Sequence, residues 1–126
     1  MASIYKEVSL CADATTVWEV VRDVGAVHTR FAPGFVTNVE MEEGARMVTF
    51  ANGLVAREVI VTVDEEQKRL AYSVRSERLA HHNASFQVFA AGEGMSRIVW
   101  ITDVLPDEAA IPIARNMDKG LAAAKR

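Results

Sequence analysis

A chain of 126 residues, half of them hydrophobic and a quarter charged, has the size and balance of one globular domain with a single core. Its formal net charge of −3 supplies no overall attraction for nucleic acid or an anionic membrane. Cys11 is its only cysteine, so an internal disulfide and a thiolate metal cluster are both excluded.

No apolar run approaches the roughly 20 residues that span a bilayer. The opening "MASIYKEVSL" lacks the basic-then-hydrophobic order of a secretory leader. The expectation is therefore one cytoplasmic domain over residues 1–126, without stable membrane insertion.

Residues 3–10, "SIYKEVSL", read as a first strand. A helix follows, with Asp13 as N-cap and Val17, Val20, Val21 and Val24 at helical spacing, Trp18 widening the apolar stripe. Gly25 is its expected stop. "AVHTRFAPG" is a short irregular or helical piece ended by Pro33 and Gly34. Six strands are then expected, at about 35–42, 45–51, 54–63, 69–78, 81–90 and 96–105. The stretches "EEGA", "ANG", "DEEQK" and "AGEGMS" between them are hairpin chemistry. Connections that short require antiparallel neighbours.

The final "DEAAIPIARNMDKGLAAAKR" predicts a helix with Pro112 in its first turn. Ala110, Ile113, Met117, Leu121 and Ala124 share its apolar face; Arg115, Asp118, Lys119 and Lys125 share the polar one. Gly120 weakens it modestly. The pattern is α+β, in the order β-α-α-β-β-β-β-β-β-α. A seven-stranded sheet needs its apolar face covered, and the last helix is the element to cover it. One helix cannot fill a wide concave surface, so an internal cavity is expected.

Four stretches give this order a family resemblance. They are "ADATTVWEVVRDVGAVHTRFAPGF", "GARMVTFANG", "REVIVTVDEEQKRLAYSV" and "SRIVWITDVLPD". Together they resemble the START/Bet v 1-like (SRPBCC) superfamily, and in particular its polyketide cyclase/dehydrase-like branch. The resemblance implies a helix-grip fold, a curved antiparallel sheet wrapped around a C-terminal helix. Phe31 stands where relatives often carry Trp. The last helix stops soon after "GLAAAKR", which implies a cavity open at one end.

The turn at "ANG" sets the most informative register. A two-residue Asn52-Gly53 turn would put Met47 opposite Glu58 and leave Arg46 and Arg57 on one face without an acid. A three-residue Ala51-Asn52-Gly53 loop, with Gly53 left-handed, pairs Phe50 with Leu54 and sets Arg46 opposite Glu58. It also gathers Val48, Phe50, Leu54, Ala56 and Ile60 on that face, with Arg57 and Val59 outward. The second register is the coherent one. Arg46 and Glu58 are then either a structural pair pinning the hairpin or a polar anchor for a ligand. Both readings stand.

Strand alternation adds Leu70, Tyr72, Val74 and Ser76, then His82, Ala84, Phe86 and Val88, to the inner face. On the last strand Ile98, Trp100, Thr102 and Val104 are the better inward set, although Val99 and Ile101 also fit. The candidate ligand-binding residues are Arg46, Val48, Phe50, Glu58, Ile60, Tyr72, His82, Phe86, Trp100 and Met117. A buried aromatic is most often plain packing. His82 is more often a core or rim histidine than an acid–base group.

No metal is expected, because His81 and His82 diverge on a strand and His28 lies far away in sequence. No cofactor is implied either. The first functional reading is binding or carriage of a small hydrophobic molecule. The second is a cyclase or dehydratase acting on a carbonyl-containing substrate through Glu58, Tyr72 and His82. The third is a protein-interaction module. Monomer and homodimer both remain open.

Overall fold

The computed structural model describes residues 2–75, 81–105 and 107–125. Strand β1 (Ala2–Leu10) leads into helix α1 (Ala14–Val21) and a π-helical turn at Val27–Phe31. Six strands follow: β2 (Val36–Glu42), β3 (Ala45–Phe50), β4 (Val55–Asp64), β5 (Arg69–Arg75), β6 (His81–Ala90) and β7 (Ser96–Leu105). A 3-10 turn at Asp107–Ala109 opens into helix α2 (Ala110–Lys125). The expected element order is the observed one. Residues 76–78 of the expected fifth strand, Ser76 among them, lie outside the described residues.

All seven strands form one antiparallel sheet in the order β1-β7-β6-β5-β4-β3-β2. Consecutive strands β2 to β7 are neighbours, as short hairpins require. The segment holding α1 and the π-turn carries the chain from one sheet edge, β1, to the other, β2. Register shifts between Val36 and Asn38 and between Ile60 and Thr62 mark bulges, which bend a strand and help the sheet curve.

Asp13 caps α1 as expected, its carboxylate accepting the Thr16 N–H at 2.8 Å. Val17, Trp18 and Val21 are its buried face. The helix ends at Val21, not at Gly25. Arg46 Nη1 donates to the Val24 carbonyl at 3.0 Å, a tertiary bond outside the helical ladder. Gly25 is not among the positive-φ glycines, so it is no left-handed cap.

Helix α2 packs against β1 and presents Met117, Gly120, Leu121 and Ala123 to the interior. Lys6 on β1 holds Asp118 at 3.2 Å. Gly120 has a positional reason: a Cβ there would stand 3.1 Å from Trp100 Cζ3 and 3.2 Å from Phe35 Cε2. Only a residue without a side chain allows that approach unchanged.

Candidate functional site

The β3–β4 hairpin takes the three-residue form. Phe50 N–H donates to Leu54 O at 2.8 Å, Gly53 adopts φ +87°, and Asn52 Oδ1 accepts the Leu54 N–H at 3.0 Å. Arg46 therefore pairs directly with Glu58 across the strands. Arg46 Nε donates to Glu58 Oε1 at 2.8 Å, and both residues are buried. The Arg46 guanidinium also lies 5.3 Å from the Tyr72 ring centre. Arg57 turns outward, as expected, toward Glu42 at 3.5 Å.

Between sheet and α2 lies a cavity of about 640 Å³. Of the residues expected there, Arg46, Val48, Phe50, Glu58, Tyr72, His82, Phe86, Trp100 and Met117 line it. Ile60 does not. It keeps the inward register, opposite Tyr72, and packs against the core without reaching the cavity. Phe86 is the aromatic hub, stacked on Trp100 at 4.5 Å and Tyr72 at 6.1 Å and edge-on to Phe31 at 5.0 Å. On β7, Trp100 and Thr102 line the cavity and Ile98 and Val104 are buried on the same face; Val99 is buried on the opposite face and Ile101 is exposed.

One wall was missed. Val27, Phe31, Ala32, Phe35 and Val36 also line the cavity, from the segment read only as irregular or helical. The signal was present: Val27, Phe31 and Phe35 recur every fourth residue. The segment winds as a π-turn, with Ala32 N–H bonded to Val27 O at 2.8 Å. Wider turns of this kind often sit at functional sites.

The cavity's exposed walls are Ala51, Asn52, Leu54, Val55, Arg75, Asn116 and Lys119. Its mouth thus lies between the β3–β4 turn and the first part of α2. The expectation of an opening caused by an early helix end is corrected accordingly. The end of α2 packs inside, with Leu121 and Ala123 in the core.

Burial sets the electrostatics. It pushes the Glu58 carboxyl up, and Arg46 pulls it partly back. Burial raises the Tyr72 phenol well above its ordinary value, reinforced by the Glu58 charge. The Trp100 indole N–H lies near enough to favour phenolate slightly, yet it forms no well-aligned hydrogen bond. Burial, then repulsion from His81, lowers His82 to about 4, so it is neutral at physiological pH. Among the described residues no three His, Cys, Asp or Glu side chains converge as a metal set would. None of their helices is long and apolar enough to cross a membrane.

A family model described as "Polyketide cyclase / dehydrase and lipid transport" matches residues 1–126. The chain belongs to this family. No curated protein matches it at the sequence level. Solved structures of the same fold include an uncharacterized protein of Bacillus thuringiensis, at 15% identity and a TM-score of 0.87, covering 98% of this chain and 96% of that one. Truncated norcoclaurine synthase of Thalictrum flavum shows 19% identity and a TM-score of 0.76, with coverages of 98% and 91%. The di-domain ARO/CYC BexL of the BE-7585A biosynthetic pathway shows 15% identity and a TM-score of 0.84, covering 99% of this chain and 45% of that one. The family member described here thus has the helix-grip fold of the START/Bet v 1-like superfamily.

Proposed function

We propose that this family member binds a small hydrophobic molecule in the cavity between its sheet and α2. The observation that carries the reading is the cavity itself: about 640 Å³, walled chiefly by Val, Phe, Leu, Trp and Met side chains with a few polar groups among them. Such a volume lies in the range of small-molecule sites, which are mostly apolar with sparse polar contacts. Val48, Phe50, Phe86, Trp100 and Met117 would hold the ligand's body. Arg46 and Glu58 are read as a structural pair, since Arg46 is already bonded to both Glu58 and the Val24 carbonyl.

The acid–base reading of Glu58, Tyr72 and His82 has weaker support. An efficient general acid or base titrates near the working pH. His82 is lowered to about 4 and Tyr72 is raised, both moving away from neutrality, while Glu58, which burial does push up, is held by Arg46. Binding or carriage therefore ranks above a cyclase or dehydratase step.

Native mass spectrometry of freshly purified protein tests this. A retained mass that disappears on denaturation is the expected result, and its identity names the ligand class. A protein that retains nothing, and takes up no hydrophobic probe, overturns the reading. Catalytic turnover of a carbonyl-containing substrate without retention would favour the enzyme.

A further inference from the structure

Five described glycines sit in turns at positive φ with open space around them. Gly120 is a different case, set inside helix α2 and buried. Only proline forms a helix less readily than glycine, so this position needs another reason to lack a side chain.

That reason is a double approach. A Cβ built on Gly120 would lie 3.1 Å from Trp100 Cζ3 and 3.2 Å from Phe35 Cε2. Trp100 belongs to β7 and Phe35 immediately precedes β2, strands near opposite edges of the sheet. The two rings thus converge under one α-carbon, and Gly120 itself borders the cavity. Both rings are half-buried walls of that cavity. They stand between the exposed mouth residues Leu54 and Asn116 and the buried inner wall of Val21, Val27 and Phe31. Each is also backed by another ring: Phe86 stacks on Trp100 at 4.5 Å, and Phe50 lies edge-on to Phe35 at 5.4 Å. A ring pushed off α2 therefore moves into the cavity.

We propose that Gly120 sets the girth of the ligand: its missing side chain lets Trp100 and Phe35 stand back against α2 and keeps the cavity wide between them. This rests on the binding reading above and assigns a selectivity residue to the same site. In a close-packed interior a displacement is handed on to the neighbours. Volume added at position 120 is consequently volume lost between the two rings. Slender ligands tolerate that loss, and globular ones do not. A role in helix packing alone makes a different demand, since a side chain at 120 would then lower stability and treat ligands of every shape alike.

The test is displacement of bound anilinonaphthalene sulfonate from the intact protein by three hydrocarbons of equal carbon count: slender butylbenzene, flat naphthalene and globular adamantane. Wild type is expected to bind all three within about tenfold of one another, as similar apolar areas require. Gly120→Leu should weaken adamantane about tenfold or more, the scale on which an apolar pocket rejects excess volume, and butylbenzene less than about threefold. Gly120→Ala asks the rings for only a few tenths of an ångström. It should shift the same order by a smaller amount, and it stands in if the leucine variant does not fold. Adding Phe35→Leu to either variant relieves the crowding and should restore adamantane. An unchanged adamantane-to-butylbenzene ratio in a folded variant overturns the proposal and leaves the binding reading intact. Equal weakening of all three probes does the same, as does a wild type that takes butylbenzene and already rejects adamantane. A wild type that binds neither dye nor hydrocarbon counts against the binding reading and this proposal together.

Discussion

The two tryptophans mark two differently finished regions. Trp18, 4% exposed on α1, donates its indole N–H to Glu65 Oε2 at 2.7 Å, while Arg22 holds Glu65 Oε1 at 2.7 Å. Those bonds, that of Trp18 first, draw the Glu65 carboxyl below the usual carboxylate range. Nearby, Arg46 is bonded to Glu58 and to the Val24 carbonyl. Every polar group named on this side has a partner. Trp100 on β7 is the opposite case: its N–H is unpaired, as is the Thr102 hydroxyl two residues along the same strand. Both kinds of side chain border the cavity, the bonded Arg46 and Glu58 as well as the unpaired Trp100 and Thr102, so what differs is the partner and not the place. Buried polar groups are ordinarily bonded, so the Trp18 side is the more tightly tied of the two, a locked side against an open wall.

The largest effect should come from breaking the locked side. Glu58→Gln leaves the Arg46 charge buried without its counterion, and removing one partner of a buried pair costs about 3–5 kcal/mol. Arg46→Met should cost less, because burial already pushes the Glu58 carboxyl toward its neutral form. The double substitution should recover part of the loss, since it leaves no charge buried at either position while the Gln amide still has to be satisfied. Urea midpoints of the four proteins close the cycle. If Glu58→Gln keeps wild-type stability and instead loses ligand, the pair belongs with the open wall and the comparison fails.

A smaller effect, of about 2 kcal/mol once its partial exposure is allowed for, comes from His82 on the open wall. Its folded-state value of about 4 lies below the ordinary 6.5. Between those values the unfolded chain binds a proton that the folded protein excludes. The stabilisation is therefore complete above pH 6.5 and is lost as pH falls toward 4. Glu58, raised rather than lowered, works in the other direction, but it is common to both proteins when wild type is compared with His82→Gln. The wild type should lose stability more steeply over that window. Parallel curves would mean that His82 reaches solvent as an ordinary histidine.

Much of this contrast was legible in the residues. A left-handed Gly53 and the need to match Arg46 with an acid were enough to place the β3–β4 register, and period-two alternation placed Tyr72, Phe86 and Trp100 inward. What stayed hidden depended on geometry that no local pattern carries. Ile60 shares the face of Glu58 and Tyr72 yet packs into the core short of the cavity, and the Arg46 bond to Val24 lies beyond the end of α1. The wall of Val27, Phe31 and Phe35 has ordinary i, i+4 spacing, and only its fold as a π-turn, with Phe35 beyond the turn's end, was not to be read from it. The unpaired atoms of Trp100 and Thr102 were invisible for a simpler reason: sequence names donors and acceptors, and only the fold shows which ones find partners.

The smallest expected effect tests whether the open wall is also adaptable. Gly120→Ala gains about 1 kcal/mol of helix propensity. The new methyl would meet Trp100 at 3.1 Å and Phe35 at 3.2 Å, contacts tight enough that both rings must shift by a few tenths of an ångström. Both rings border the cavity, so they have free space into which to move. The two terms should nearly cancel, leaving stability within about 1 kcal/mol of wild type. Ligand affinity should change more than stability, because the displaced Trp100 ring now occupies part of the cavity. Thermal melting with and without a bound hydrophobic probe reads both quantities in one experiment. A large loss of stability in the probe-free protein would show Trp100 and Phe35 held as rigidly as Trp18, and the open wall would then be a fixed mould rather than a yielding one.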